Sequence, residues 1–259
     1  MQNTVKYRLF SFCMFILNVS YSQKVITDTN YINISQQLLY AVKTGESSDH
    51  FIRQLWGVDK KELKKQLPTD AGKKAFWLNI YNAFIQKLLS EHPEKYQSRN
   101  SFFTKKQIII AGITLSPDDI EHGILRRSKA KWSMGYFNKL FPSSFEKDFR
   151  VSALDNRIHF ALNCGAKSCP PIAYYAPANI DMQLELATKN YLRTESDYKK
   201  TSGIIYLPKI MSWFRGDFNG KKGMKELLKK YSIIENEDVK IRFKKYDWTL
   251  FLNNYRQEN

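Results

Sequence analysis

The segment DNRIHFALNCGAKSCPPI, Asp155 to Ile172, concentrates groups able to do chemistry. It holds one of the chain's four histidines and two of its three cysteines. His159 with Cys164 or Cys169 is the pair of residue types needed for a thiol nucleophile and its base, because an imidazole within hydrogen-bond reach can take the thiol proton. Cys169 stands directly before Pro170 and Pro171, a position where the backbone is pushed to extended conformations. The same residues also read as a purely structural unit. A Cys164–Cys169 disulfide, or two small buried hydrophobes with His159 satisfying a hydrogen bond, explains them equally well. A papain-like enzyme has its cysteine before its histidine, and here the order is reversed. Order alone does not decide geometry, since catalytic triads recur in several orders.

Glu121 and His122 form a second group. At helical spacing His122 shares a stripe with Asp118 and Arg126, so a carboxylate is available to orient its imidazole. Glu121 falls over Leu125, nearer the apolar face, where burial raises a carboxyl pKa and suits it to general-acid work. The alternative is an exposed polar stripe beside a structural glutamate. Asn79 and Asn82, three apart on an apolar helix, are either a buried amide network or substrate contacts. Asp155, Arg157 and the WFRGDF stretch (213–218) are expected to help by ion pairing near the segment that carries His159. A zinc set of His122, His159, Cys164 and Cys169 has acceptable cysteine spacing, but no second paired histidine motif supports it. No metal or other cofactor is therefore expected.

Positioning these residues requires several elements. Tyr31 to Lys43 and Phe51 to Leu67 read as amphipathic helices, broken at Gly45 and Pro68. Gly72 to Ser90 is the clearest helix, because Phe76-Trp77, Ile80-Tyr81, Phe84-Ile85 and Leu88-Leu89 recur every four residues and make a wide core-facing stripe. Gln107 to Leu115 reads as a hairpin turning at Ala111-Gly112. Ser116 caps a helix with Pro117 at its first position, and Arg126 and Arg127 close it favourably for the dipole. Arg157 to Asn163 alternates as a strand, which puts His159 opposite Ile158 and Phe160. Ile180 to Leu192 and Lys221 to Tyr231 read as helices, Gly203 to Leu207 as a strand, and Val239 to Leu252 as a last strand and loop. Mixed, non-alternating elements predict a single α+β domain with helices packed on a small mixed or antiparallel sheet. The expected division is a leader at 1–22, an N-terminal helical extension at 23–69, and the main domain at 70–255.

Five blocks carry a family resemblance in this order: FWLNIYNAF (76–84), ITLSPDDIEHGILR (113–126), DNRIHFALNCGAKSCPP (155–171), IMSWFRGDF (210–218) and YDW (246–248). Together they resemble the domain-of-unknown-function family 547, found in bacteria and, within larger proteins, in plants. The resemblance covers roughly 70 to 252, and the run around the two cysteines is its most specific part. It implies no settled activity. Some relatives carry the domain beside thiol-redox modules, which points to sulfur chemistry by association only.

The amino terminus predicts export. Lys6 and Arg8 precede the mostly apolar run Leu9 to Val19, and Ser20 and Ser22 supply small residues before Gln23, the pattern of a cleavable secretory signal. A run this short falls below the ~20 residues a membrane span needs. Cleavage would remove Cys13, so a disulfide-permissive compartment would hold only Cys164 and Cys169. It would also leave Lys+Arg 39 against Asp+Glu 25, a net charge of +14 instead of +16. Such a balance suits anionic envelope polymers, glycans or lipid headgroups. No nucleic-acid recognition motif is present. Periplasm and extracellular space are equally open. Three functional classes follow: a thiol-dependent hydrolase or acyl transferase, a non-enzymatic envelope-binding protein with a disulfide clip, and a thiol-redox or metal-binding role.

Overall fold

The computed structural model describes residues 30–257; the expected leader lies outside them. The chain is a mostly helical α+β unit with two small sheets. Helix α1 (Tyr31–Thr44) is capped by the Asn30 side chain and ends at Gly45, whose φ of 77° supplies the left-handed turn. The expected helix over 51–67 is two helices, α2 (Asp49–Gly57) and α3 (Lys60–Gln66). Asp59 causes the break, because its carboxylate accepts from the backbone N–H groups of Lys61 and Glu62 and starts a new helix.

Helix α4 (Asp70–Glu91) is the central element. Thr69 caps it, and every residue from Lys74 to Gln86 is buried. The expected stripe is therefore a helix enclosed on all sides, as its apolar doublets allow. Leu38, Leu39, Leu55, Leu63 and Leu67 from α1 to α3 join Phe76, Trp77, Ile80 and Ile85 in one core. Residues 34–67 thus contribute to the same core as α4. Short helix α5 (Arg99–Thr104) precedes hairpin β1 (Ile108–Ile110) and β2 (Ile113–Leu115). Ala111 and Gly112 both have positive φ at its turn, as a two-residue hairpin loop demands. Their N–H groups donate to Leu55 and Trp56, fastening the turn to α2.

A second, smaller core gathers around β3 (Asp197–Lys199), β4 (Ile204–Leu207) and β5 (Lys240–Phe243). The sheet is mixed, with β4 antiparallel to β3 and parallel to β5. Helices α6 (Ser144–Phe149), α7 (Ile180–Glu195), α8 (Lys209–Trp213) and α9 (Gly220–Lys230) complete the unit.

Two expectations fail locally. Arg157 to Asn163 is not a strand: Asn156–Phe160 is a 3₁₀ helix capped by Asp155, followed by a turn. Asp155 draws the chain into that turn by accepting from the Arg157 N–H, a local bond that competes with extended structure. Ile158 then enters the larger core and Phe160 the smaller one. The segment after Ser116 is helical, but Asp119–Leu125 is π-helical. Arg126 N–H donates to Glu121 and Ser128 N–H to Gly123, both five residues back. Such wide turns are rare and concentrate at functional sites.

Candidate functional site

A cavity of about 490 Å³ opens between the two cores, walled by α4, the π-helical turn, the 3₁₀ turn, the cysteine loop, α8 and the segment after β5. Glu121, His122, His159, Cys164 and Cys169 all line it. Much of the remaining wall is apolar, including Phe103, Leu162, Trp213, Phe214 and Trp248.

The sulfur wall is built by a tight loop. Asn163 closes it, donating to Pro170 O and accepting from Gly165 N–H, while Asn82 of α4 accepts from Asn163 N–H. Gly165 has φ 82°, and a Cβ there would come within 2.8 Å of Leu89, so glycine is required on two counts. The segment after β5 binds the loop from outside: Lys167 N–H donates to Thr249 O and Ser168 N–H to Asp247 O. Both thiols are free. The Tyr246 hydroxyl lies 3.3 Å from Cys164 Sγ and 3.1 Å from Cys169 Sγ, and Cys164 N–H donates to Cys169 Sγ. Trp213 and Trp248 pack their rings against Tyr246 and fix its direction.

This arrangement separates the two thiols. A hydrogen bond from Cys169, outweighing burial and joined by Tyr246, lowers the Cys164 pKa to about 7. Cys169 is the more buried thiol, and burial together with the neighbouring sulfur pushes its pKa well up. The pair therefore ionises first at Cys164, which then holds the charge while Cys169 stays protonated. Glu121 sits nearby with its carboxyl 3.4 Å from the Tyr81 hydroxyl. Burial raises its pKa to about 7, and the charges of Asp118 and Cys164 add to the rise against the pull of Arg126.

The opposite wall is a fixed ionic network. Arg126, expected to close its helix on the His122 stripe, is fully buried and donates from Nε to Asp217 Oδ2 at 2.7 Å. The π turn rotates it inward. Its Nη1 lies 2.9 Å from His122 Nδ1. An arginine only donates, so Nδ1 accepts and the His122 proton sits on Nε2, which lies 3.6 Å from Asp118. Burial, with Arg126 next to it, holds the His122 pKa well below its ordinary value.

His159 Nε2 lies 2.8 Å from the same Asp217 oxygen. Burial opposes ionisation of Asp217, but the bonds from His159 and Arg126 prevail and keep its pKa low. A carboxylate only accepts, so His159 Nε2 carries the proton and Nδ1 is bare. Burial lowers the His159 pKa to about 4, outweighing Asp217, and Phe214 stacks on its ring at 4.0 Å. His159 makes no hydrogen bond to either sulfur among the described residues. The 3₁₀ turn aims it at Asp217 instead.

The expected contact residues are elsewhere. Asn79 exchanges hydrogen bonds with the Tyr175 backbone, and Asn82 bonds to Ala161 and Asn163, all inside the core. Asp155 pairs with Lys74 and Arg157, whose hydrogen bonds outweigh burial and hold its pKa near about 2. Arg157 also reaches Asp181. None of the four lines the cavity. Among the described residues no group of three or more His, Cys, Asp or Glu side chains is placed to hold a metal ion.

Asp217 and Tyr246, which organise the two walls, were not singled out from the sequence as site residues. Asp217 was signalled only as part of the WFRGDF stretch expected to pair as ions near the His159 segment, and Tyr246 only by membership in the YDW block.

The fold and cavity thus define an α+β protein with a paired-thiol cleft facing a buried histidine network. The sequence model of the family described as "Protein of unknown function, DUF547" matches residues 65–192, and this part of the chain belongs to that family. Asp217 and Tyr246 lie beyond the matched segment. Neither the curated proteins nor the solved structures gave a match.

Proposed function

We propose that the chain is a thiol-dependent hydrolase or acyl transferase with Cys164 as nucleophile. The observation that carries this reading is a half-buried sulfur, held by Cys169 and Tyr246 so that it ionises near neutral pH, on the wall of a cavity that also contains Glu121. A thiol of this kind needs no histidine to deprotonate it. The Cys164 thiolate attacks an acyl carbonyl carbon and forms a thioester, while the bond to the leaving group breaks. The protonated Glu121 carboxyl gives the leaving group its proton. Water, or an acceptor hydroxyl or amine, then attacks the thioester, returns a proton to Glu121 and releases the thiolate. The network of His122, Arg126, Asp217 and His159 holds the facing wall in shape, and His122 Nε2–H is a neutral donor toward charge developing on the acyl oxygen.

One observation favours a second reading, thiol–disulfide exchange. A single tyrosine hydroxyl serves both sulfurs, and Cys169 supports the Cys164 thiolate directly. In that reaction Cys164 attacks a substrate disulfide and releases one thiolate. Cys169 gives its proton to the thiolate released first, attacks the mixed disulfide and releases the other thiolate, leaving a Cys164–Cys169 bond. Alkylation followed by mass spectrometry on folded protein tests the shared premise: Cys164 should label with a rate that rises through about pH 7 and levels above it. If neither cysteine labels before a reductant is added, the pair is a disulfide clip and the nucleophile reading fails. Cys169→Ala divides the two reactions: acyl transfer should persist with its pH profile moved upward, because the hydrogen bond that lowers the Cys164 pKa is lost, whereas disulfide exchange should be abolished.

Export belongs to the same proposal, supported by the basic and apolar pattern of residues 6–22. Amino-terminal sequencing of the protein recovered from outside the cytoplasm should begin at Gln23.

A further inference from the structure

The segment from Arg127 to Phe141 exposes Trp132, Met134, Tyr136, Phe137, Leu140 and Phe141, with Leu140 at 87% and Phe141 at 92%. Side chains of this size are normally found inside, so six in one loop call for a partner. The loop is firmly built. Ser133, itself buried, donates from Oγ to Ala130 O and Phe137 O and accepts from Gly135 N–H. Ala130 N–H donates to Phe137 O, Lys139 N–H to Ser128 O, and Gly216 N–H to Met134 O. Gly135 packs so closely on Asp217 that a Cβ would lie 2.2 Å from its carboxylate. The hydrophobic side chains are therefore displayed by a braced scaffold and require little ordering on binding.

The loop's own charges have one sign. Between Arg127 and Phe141 the sequence has four basic residues and no acidic one. Lys131 pairs with Asp118 and Lys139 with Glu146, while Arg127 and Lys129 have no ion pair among the described residues. Projecting aromatic and aliphatic tips above a basic base match a bilayer with anionic headgroups: the tips enter the acyl boundary and the cations meet the phosphates. A protein partner would favour a flatter patch with fewer cations, since charged residues are depleted at the centre of such interfaces.

We propose that this loop docks the protein onto an anionic phospholipid surface. Lys131 and Met134 belong both to the loop and to the cavity wall, so docking brings the cavity's edge to the membrane interface. Among the described residues no helix is long and apolar enough to cross a membrane, which makes this a surface attachment. The inference goes beyond the thiol chemistry and does not depend on it.

The test is co-sedimentation of the full chain with vesicles of phosphatidylglycerol mixed with phosphatidylcholine, and with phosphatidylcholine alone. The parent should bind the mixed vesicles and lose affinity as salt is raised. A quadruple variant, Trp132→Ser with Phe137→Ser, Leu140→Ser and Phe141→Ser, should bind at least ~10-fold more weakly with an unchanged circular dichroism spectrum and thermal midpoint. Because residues 9–19 can also touch lipid, a second reading uses brominated phosphatidylglycerol: the fluorescence difference between parent and Trp132→Phe should be quenched. No vesicle binding by the parent, equal binding by the quadruple variant, or an unquenched Trp132 overturns the proposal. Cys164→Ala should bind vesicles as the parent does, so failure of the thiol reading leaves this result standing.

Discussion

The two walls of the cavity use ionisable groups in opposite ways. Cys164 on the sulfur loop and Glu121 on the π-helical turn both have pKa values moved to about 7, so small changes in proton or ligand alter their charge. On the facing wall, Arg126, Asp217, His122 and His159 keep fixed states: the two histidines are held neutral, and Arg126 and Asp217 are ionised against each other. The difference arises from pairing. Asp217 receives hydrogen bonds from Arg126 and His159 on one oxygen, which locks its charge. Glu121 is buried without a comparable strong donor, so desolvation controls it. The comparison teaches that burial alone does not make a group rigid or reactive. The partners decide, and here they place adjustable protons on one side and shape on the other.

The sharpest way to break the comparison is to remove the fixed charge. Asp217→Ala should destabilise the fold by about 3–5 kcal/mol, because it leaves Arg126 buried and unpaired; urea unfolding measures it. A loss under about 1 kcal/mol would show that the network is no stronger than a surface pair. Gly135→Ala comes next, at roughly 2–3 kcal/mol, since its Cβ would force Asp217 away from a residue already at φ 95°.

The titrating groups yield pH-dependent effects. The folded-state pKa of Glu121 lies above its unfolded value, so its favourable contribution is complete below about 4.5 and is lost as pH rises through about 7. Glu121→Gln should therefore match the parent's unfolding free energy near pH 4.5 and exceed it in mild alkali by about 3 kcal/mol, read by urea unfolding at both pH values. If the difference does not change with pH, the carboxyl is not held protonated. Tyr246→Phe removes one hydrogen bond to the Cys164 thiolate. Its alkylation profile should move upward by about one pH unit, roughly 1.4 kcal/mol. An unmoved midpoint would assign the lowered pKa to Cys169 alone.

Some of this was legible in the residues. The doublets of α4, the Ala111-Gly112 turn and the Ser116 start of a helix rest on local periodicity and capping, and the structure has each of them. The spacing of Asp118, His122 and Arg126 placed three groups on one stripe, and they lie together. Alternation misled at Arg157 to Asn163, because a pattern of apolar and polar residues also arises when neighbours enter different cores. Ile158 and Phe160 do so.

The sequence by itself pointed to Glu121, His122, His159, Cys164 and Cys169, to the α+β class and to the central helix, since those depend on residue type and on interactions within a few positions. Only the tertiary structure decided which groups would meet. Asp217 reaches Arg126 from 91 residues away, Tyr246 reaches Cys164 from 82, and the local turn aims His159 at a partner, Asp217, that lies 58 residues away. Proton positions and pKa values depend on such distant partners and on burial, and neither is encoded in local spacing.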